Sequence, residues 1–73
     1  MYVLQRVLPV RNGPAIYIVF AVSRDTDKLK AWVESTYLVK PDWVKHNYGF
    51  ESEEDSDGQY WLIHLINDLD NNR

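Results

Sequence analysis

The stretch Tyr2–Val22, YVLQRVLPVRNGPAIYIVFAV, decides the fold. Its first part, Tyr2–Val10, is rich in β-branched and aromatic residues and alternates along the chain. Tyr2, Leu4 and Leu8 share one face with Arg6, and Val3 and Val7 share the other with Gln5. Arg11-Asn12-Gly13-Pro14 then interrupts the apolar pattern. Asn-Gly supplies the positive φ values of a tight hairpin turn, which most residues resist. Ala15–Val22 resumes as a run that is apolar on both faces, the pattern of a strand in the middle of a sheet. The whole stretch reads as an antiparallel hairpin. A secretory leader is the competing reading, with Arg6 and Arg11 before the run and Ala21-Val22-Ser23 as a loose cleavage site. It fails because the basic part is itself apolar and alternating, and Gly13-Pro14 breaks it. The run is also too short to span a bilayer.

Outward from the hairpin, Ser23-Arg24-Asp25-Thr26-Asp27 predicts a helix start. Ser23 or Asp25 can accept a bond from the free amides of a first turn, and the acids complement the positive end of the helix dipole. The helix is predicted to run to about Tyr37. Leu29, Trp32, Val33 and Thr36 or Tyr37 recur at spacings of three and four and make one apolar stripe. Lys30 and Glu34 lie off that stripe as an i, i+4 pair in solvent. Val39-Lys40-Pro41-Asp42 ends the helix. Trp43–Glu51 predicts a single half-buried strand with Val44, His46, Tyr48 and Phe50 on one face. Gly49 within it marks a bulge or a close approach. Ser52–Gly58 is an acidic turn, and Gln59–Ile66 a last strand that is apolar on both faces. Asn67–Arg73 is a polar tail predicted to fray.

The order is strand, strand, helix, strand, strand. It predicts one α+β domain over residues 1–66, a small antiparallel sheet with the helix packed on one face, followed by a flexible polar tail over 67–73. One helix cannot cover both faces of such a sheet. Apolar surface on the other face is left open, or a partner or a second copy covers it.

Size and charge narrow the function. A chain of 73 residues buries about 60% of the surface its unfolded form exposes, so it holds little stability in reserve for a strained site. With no cysteine it has no disulfide and no thiolate metal site, which favours a reducing, intracellular setting. The net charge of −3 is unevenly spread. Residues 1–45 carry seven basic and four acidic groups, whereas residues 46–73 carry one basic and seven acidic groups. An acidic half is unsuited to neutralising phosphates and argues against nucleic-acid binding. It suits contact with a basic protein surface, or it simply keeps the domain soluble.

No constellation of catalytic residues emerges. Glu53, Asp55, Asp57 and Gly58 match the start of a calcium loop. The closing carboxylate position then falls on His64, inside a strand, so the turn reads as a solvated hairpin loop. His46 and His64 could face each other across the second hairpin, but two histidines without a third ligand make a poor metal site. The serines lie in no nucleophile motif, and the three glycines form no phosphate-binding loop. An enzyme is not expected, and no cofactor is implied. Tyr48, Phe50, Tyr60 and Trp61 make an aromatic hairpin whose acidic surroundings favour core packing over base stacking. The residues expected to meet a protein partner are Glu51, Glu53, Glu54, Asp55 and Asp57 of the acidic turn. Lys45 and Arg6 are added as charges on strand edges, where with Pro9 they would also discourage unwanted pairing.

A strand-and-helix body over residues 2–66 with a polar tail over 67–73 resembles the small phage-encoded regulators of host RNA polymerase, of the Xanthomonas phage type. The resemblance covers the whole chain by size and arrangement and carries no motif, so no binding residue transfers. It implies a protein of the host bacterial cytoplasm that binds the polymerase β′ subunit, blocks initiation and promotes antitermination. Other phage inhibitors of host defence, against CRISPR or restriction systems, fit the same acidic half and free sheet edge. A self-associating homodimer is the alternative from another class.

Overall fold

Tyr2–Leu8 forms β1 and Ile16–Ser23 forms β2, paired antiparallel from Tyr2↔Ser23 to Leu8↔Ile16. The structure, a computed structural model, describes residues 1–66; the polar tail over 67–73 lies outside the described residues. The turn between the strands differs from the expected tight hairpin. Residues 9–15 separate them, and neither Asn12 nor Gly13 has a positive φ. Pro9 and Pro14 flank the Asn-Gly pair and cannot donate a ladder hydrogen bond, so pairing stops before the turn.

Thr26–Tyr37 forms the helix α1. Asp25 is its N-cap, accepting the Asp27 N–H at 2.9 Å, while the Ser23 hydroxyl oxygen accepts the Asp25 N–H at 3.0 Å. Leu29 and Val33 are buried, and Trp32 packs beside them, as the stripe requires. Lys30 does not turn to Glu34; its ammonium lies over the Phe50 ring, 3.4 Å from the centroid. The helix ends at Leu38, which adopts the left-handed conformation (φ 56°) and leaves its side chain 88% exposed. An apolar residue is held there against its backbone preference, so that the chain reverses before Pro41.

The expected strand over Trp43–Glu51 is two strands. Trp43–His46 is β3, Gly49–Ser52 is β4, and Asn47-Tyr48 turns between them. The Tyr48 N–H donates to His46 Nδ1 at 3.3 Å inside that turn. The reversal also overturns the expected face. Val44 pairs with Glu51 and Lys45 with Phe50, so Phe50 lies on the opposite side of the sheet from Val44 and His46. Tyr60–Leu65 is β5. Gly49 allows the second hairpin to close on it: a Cβ there would sit 1.9 Å from the Ile63 carbonyl oxygen. The expected close approach at this glycine is therefore real.

All five strands join one open antiparallel sheet in the order β2-β1-β5-β4-β3. The expected α+β class, with a helix on a small antiparallel sheet, holds; among the described residues the strands number five. The expectation for β2 does not hold. It is an outer edge, not a central strand, and Ile16–Phe20 are all exposed. Its double-sided apolar pattern matches that of β5, which does lie at the centre. The pattern alone cannot distinguish them, because the pairing of β1 with β5 sets who lies inside.

The core lies between α1 and one face of the sheet. Leu4, Leu29, Val33, Trp61 and Ile63 are buried together, with Tyr2, Ala21, Trp32, Trp43 and Phe50 packed around them. Each fully buried aliphatic side chain contributes about 1.5–3 kcal/mol. In β2 a bulge sets two residues against one, since Leu4 pairs with Ala21 and Gln5 with Val19. The extra residue, Phe20, joins Ala21 on the helix side. No described element covers the other face. Val3 and Val7 are buried there by their neighbours, while Tyr17, Val19, Val22 and Val44 are more than half exposed.

Candidate protein-binding site

A cleft of about 580 Å³ opens on the helix side of the sheet. Its floor comes from the strands: Arg6 from β1, Phe20 from β2, Ser52 at the end of β4 and Trp61 from β5. Tyr37 and the reversing segment Val39-Lys40-Pro41 form one wall, and Glu53, Glu54, Asp55 and Gln59 form the other. The bulge brings Phe20 into this space. Its ring centroid lies 5.3 Å from that of Trp61, and Tyr37 meets Trp61 at 5.2 Å. These distances are those of packed aromatic pairs.

Asp55 organises the acidic wall. One carboxylate oxygen accepts the N–H groups of Asp57 and Gln59, both at 2.9 Å. The other accepts from the Arg6 guanidinium at 2.7 Å. Arg6 also donates to the Gln59 side-chain oxygen at 3.3 Å and stacks on Trp61, 4.9 Å from the ring centroid. The backbone closes the turn independently, with the Gly58 N–H on the Asp55 carbonyl at 3.0 Å and the Asp55 N–H on the Gln59 carbonyl at 2.9 Å. At its base the buried Ser52 hydroxyl accepts the Trp61 N–H at 2.8 Å and donates to the Glu53 carbonyl at 3.1 Å.

The Gln59 N–H is the main cause that holds the Asp55 carboxyl below its ordinary value of 3.8. Desolvation, the next largest cause, opposes it, and the Asp57 N–H and the Arg6 charge and hydrogen bond add to the lowering. A depressed acid favours folding above its unfolded value, and that contribution disappears as pH falls through the folded value. Acid unfolding should therefore steepen from about pH 4 downward in the native chain, and less so in Asp55→Asn. Denaturation midpoints measured across that range check this; identical acid limbs would remove Asp55 from the acid response. On the open face, burial first, and then the charges of Tyr17, Glu51 and Glu54, raise the Tyr60 hydroxyl above its ordinary value.

The expected site residues separate into groups. Arg6, Glu53, Glu54 and Asp55 come together in the cleft. Glu51 lies on the opposite, open face between Phe50 and Ser52, and Asp57 is exposed in the turn beyond the cleft. Lys45 sits on the outer strand β3, but Arg6 guards no edge, because β1 is paired on both sides. Asp55 is a structural pivot more than a free docking charge. The two histidines both pair with Gly49, from β3 and β5, so a whole strand separates them; His64 instead meets the Tyr48 ring at 5.9 Å. Trp61 and Phe50 pack with the core as expected, whereas Tyr48 is 60% exposed. Among the described residues no three His, Cys, Asp or Glu side chains gather as metal ligands. No described helix is long and apolar enough to cross a membrane.

Phe20, Tyr37 and the 39–41 segment were not legible as site residues. They reach the cleft only through the bulge and the left-handed Leu38, neither of which leaves a local pattern.

Comparison with protein-family models, curated proteins and solved structures returns no match.

Proposed function

We propose that this chain is a non-enzymatic regulator that works by binding another protein, with β2 as the docking strand and the acidic wall of the cleft beside it. The observation that carries this reading is β2 itself. It is an eight-residue outer strand with no charged side chain, and its residues Ile16–Phe20 are exposed in succession. An outer strand presents unpaired N–H and C=O groups to an incoming strand, and side chains on both faces add specificity. The bulge at Phe20 limits the regular part to Ile16–Val19. The opposite edge, β3, is four residues long and carries Lys45, a poorer acceptor of a strand.

Bacterial RNA polymerase is the partner that the resemblance to phage regulators supplies. In that version the chain acts in the host cytoplasm, blocks initiation and promotes antitermination. An inhibitor of host defence would use the same surface on a different target.

Val19→Lys tests the reading. Val19 is 58% exposed, so the substitution leaves the core intact and places a charge in the centre of the docking strand. The tagged native chain is expected to recover polymerase subunits from bacterial lysate, and Val19→Lys to lose them at unchanged circular dichroism. Recovery of a nuclease or defence complex instead would move the target to host defence. An empty pull-down with twice the monomer mass in sedimentation would leave a self-associating domain and remove the regulator. Replacing Glu53, Glu54 and Asp57 with Ser should weaken capture and flatten its salt dependence. Asp55 is kept in that variant because its loss would open the turn.

A further inference from the structure

We propose that the cleft receives one basic side chain, an arginine or lysine of the protein partner, between the rings of Phe20 and Tyr37 and the carboxylates of Glu53 and Glu54. This rests on the protein-binding reading and names the chemistry that the cleft selects.

The cleft already holds one cation of this kind. Arg6 lies with its guanidinium on the Trp61 ring, 4.9 Å from the centroid, and on Asp55 at 2.7 Å. At Trp61 and Asp55 the cleft thus holds a guanidinium by ring stacking and a carboxylate bond, the same chemistry that the neighbouring rings and carboxylates would offer a second cation. Arg6 does not use up the cleft. Its charge is matched by Asp55, and the remaining lining charges are Lys40 against Glu53 and Glu54, an excess of one negative charge. The side chains of Glu53 and Glu54 are exposed and have no hydrogen-bond or ion-pair partner among the described residues. The same cleft is lined by Phe20, 41% exposed, on its floor and Tyr37, 46% exposed, on its wall, each already packed edge-on or tilted against Trp61. Rings held in place by packed tryptophans meet a cation at little ordering cost, and an excess of carboxylate selects a cation over an anion or a neutral group. The volume of about 580 Å³ has room for a long side chain as well as Arg6.

The test uses the full chain and three capped hexapeptides, Gly-Ser-X-Leu-Ser-Gly, with arginine, lysine or citrulline at X. Citrulline keeps the shape of arginine and lacks its charge. Titration is followed by amide and aromatic resonances. The arginine and lysine peptides are expected to shift the ring signals of Phe20 and Tyr37 together with the amides of Glu53 and Glu54. The citrulline peptide should bind at least about tenfold more weakly. The double substitution Glu53→Gln and Glu54→Gln, on exposed side chains that hold no structure together, should weaken the arginine peptide by a similar factor. Equal binding of arginine and citrulline peptides would overturn the proposal. So would shifts confined to the acidic turn with the rings unmoved, since that is unselective attraction between charges, and so would an absence of binding by any peptide. Failure here with loss of partner capture in Val19→Lys would strike the cleft and leave the docking strand; peptide binding with an empty pull-down would do the reverse.

Discussion

Gly49→Ala is expected to remove roughly half of the domain's folding stability. A Cβ at this position would lie 1.9 Å from the Ile63 carbonyl oxygen and 2.9 Å from its carbon, both backbone atoms of the central strand. No rotamer change relieves such a clash; β4 must move away from β5. That movement would pull Phe50 off the core and Ser52 off the Trp61 N–H. The glycine also has φ 150°, a conformation that alanine rarely adopts. The combined cost is on the order of 3–5 kcal/mol. A domain of this size has about 4–10 kcal/mol in total. Urea denaturation followed by tryptophan fluorescence measures it. A stability within about 1 kcal/mol of the native chain would mean that the second hairpin is not held in this register.

Trp61→Ala is the other large effect, at about 3–5 kcal/mol. Trp61 is buried in the core, and it meets Phe20, Trp32 and Tyr37 ring to ring and Arg6 from above. Its removal leaves a cavity at the junction of α1, β1, β2 and β5, which so small a core cannot close by collapse. Trp61→Phe keeps a ring in place and should cost clearly less. The same denaturation series separates the two. Equal losses for Ala and Phe would show that the indole itself, and not the filled volume, sustains the cluster. A small loss for Ala would show that the cleft floor is not part of the core.

These two sites differ in how far the sequence exposes them. Gly49 is legible as an isolated glycine in an alternating strand, and Gln59–Ile66, apolar on both faces, is legible as a strand. Neither showed which atoms would meet. The Asn47-Tyr48 reversal leaves no signal in the sequence, because β3 and β4 are four residues each and carry no Asn-Gly or Gly-Gly pair between them. A continuous alternation through a turn reads as one strand.

By itself the sequence determined the local features. Period-two apolar runs made strands, Ser23 and Asp25 began a helix whose stripe packs Leu29 and Val33, and the concentration of acids after Glu51 made a polar turn. Those follow from contacts between residues near one another in the chain. Only the tertiary structure decided that β1 lies between β2 and β5, and therefore that the most apolar strand is an exposed edge and Arg6 is interior. Only it placed Phe20, Tyr37 and Trp61 around one cleft with Arg6 and Asp55 joined across it. Strand order is set by pairing between distant segments, and side-chain alternation is the same for a strand with two neighbours as for a strand with one.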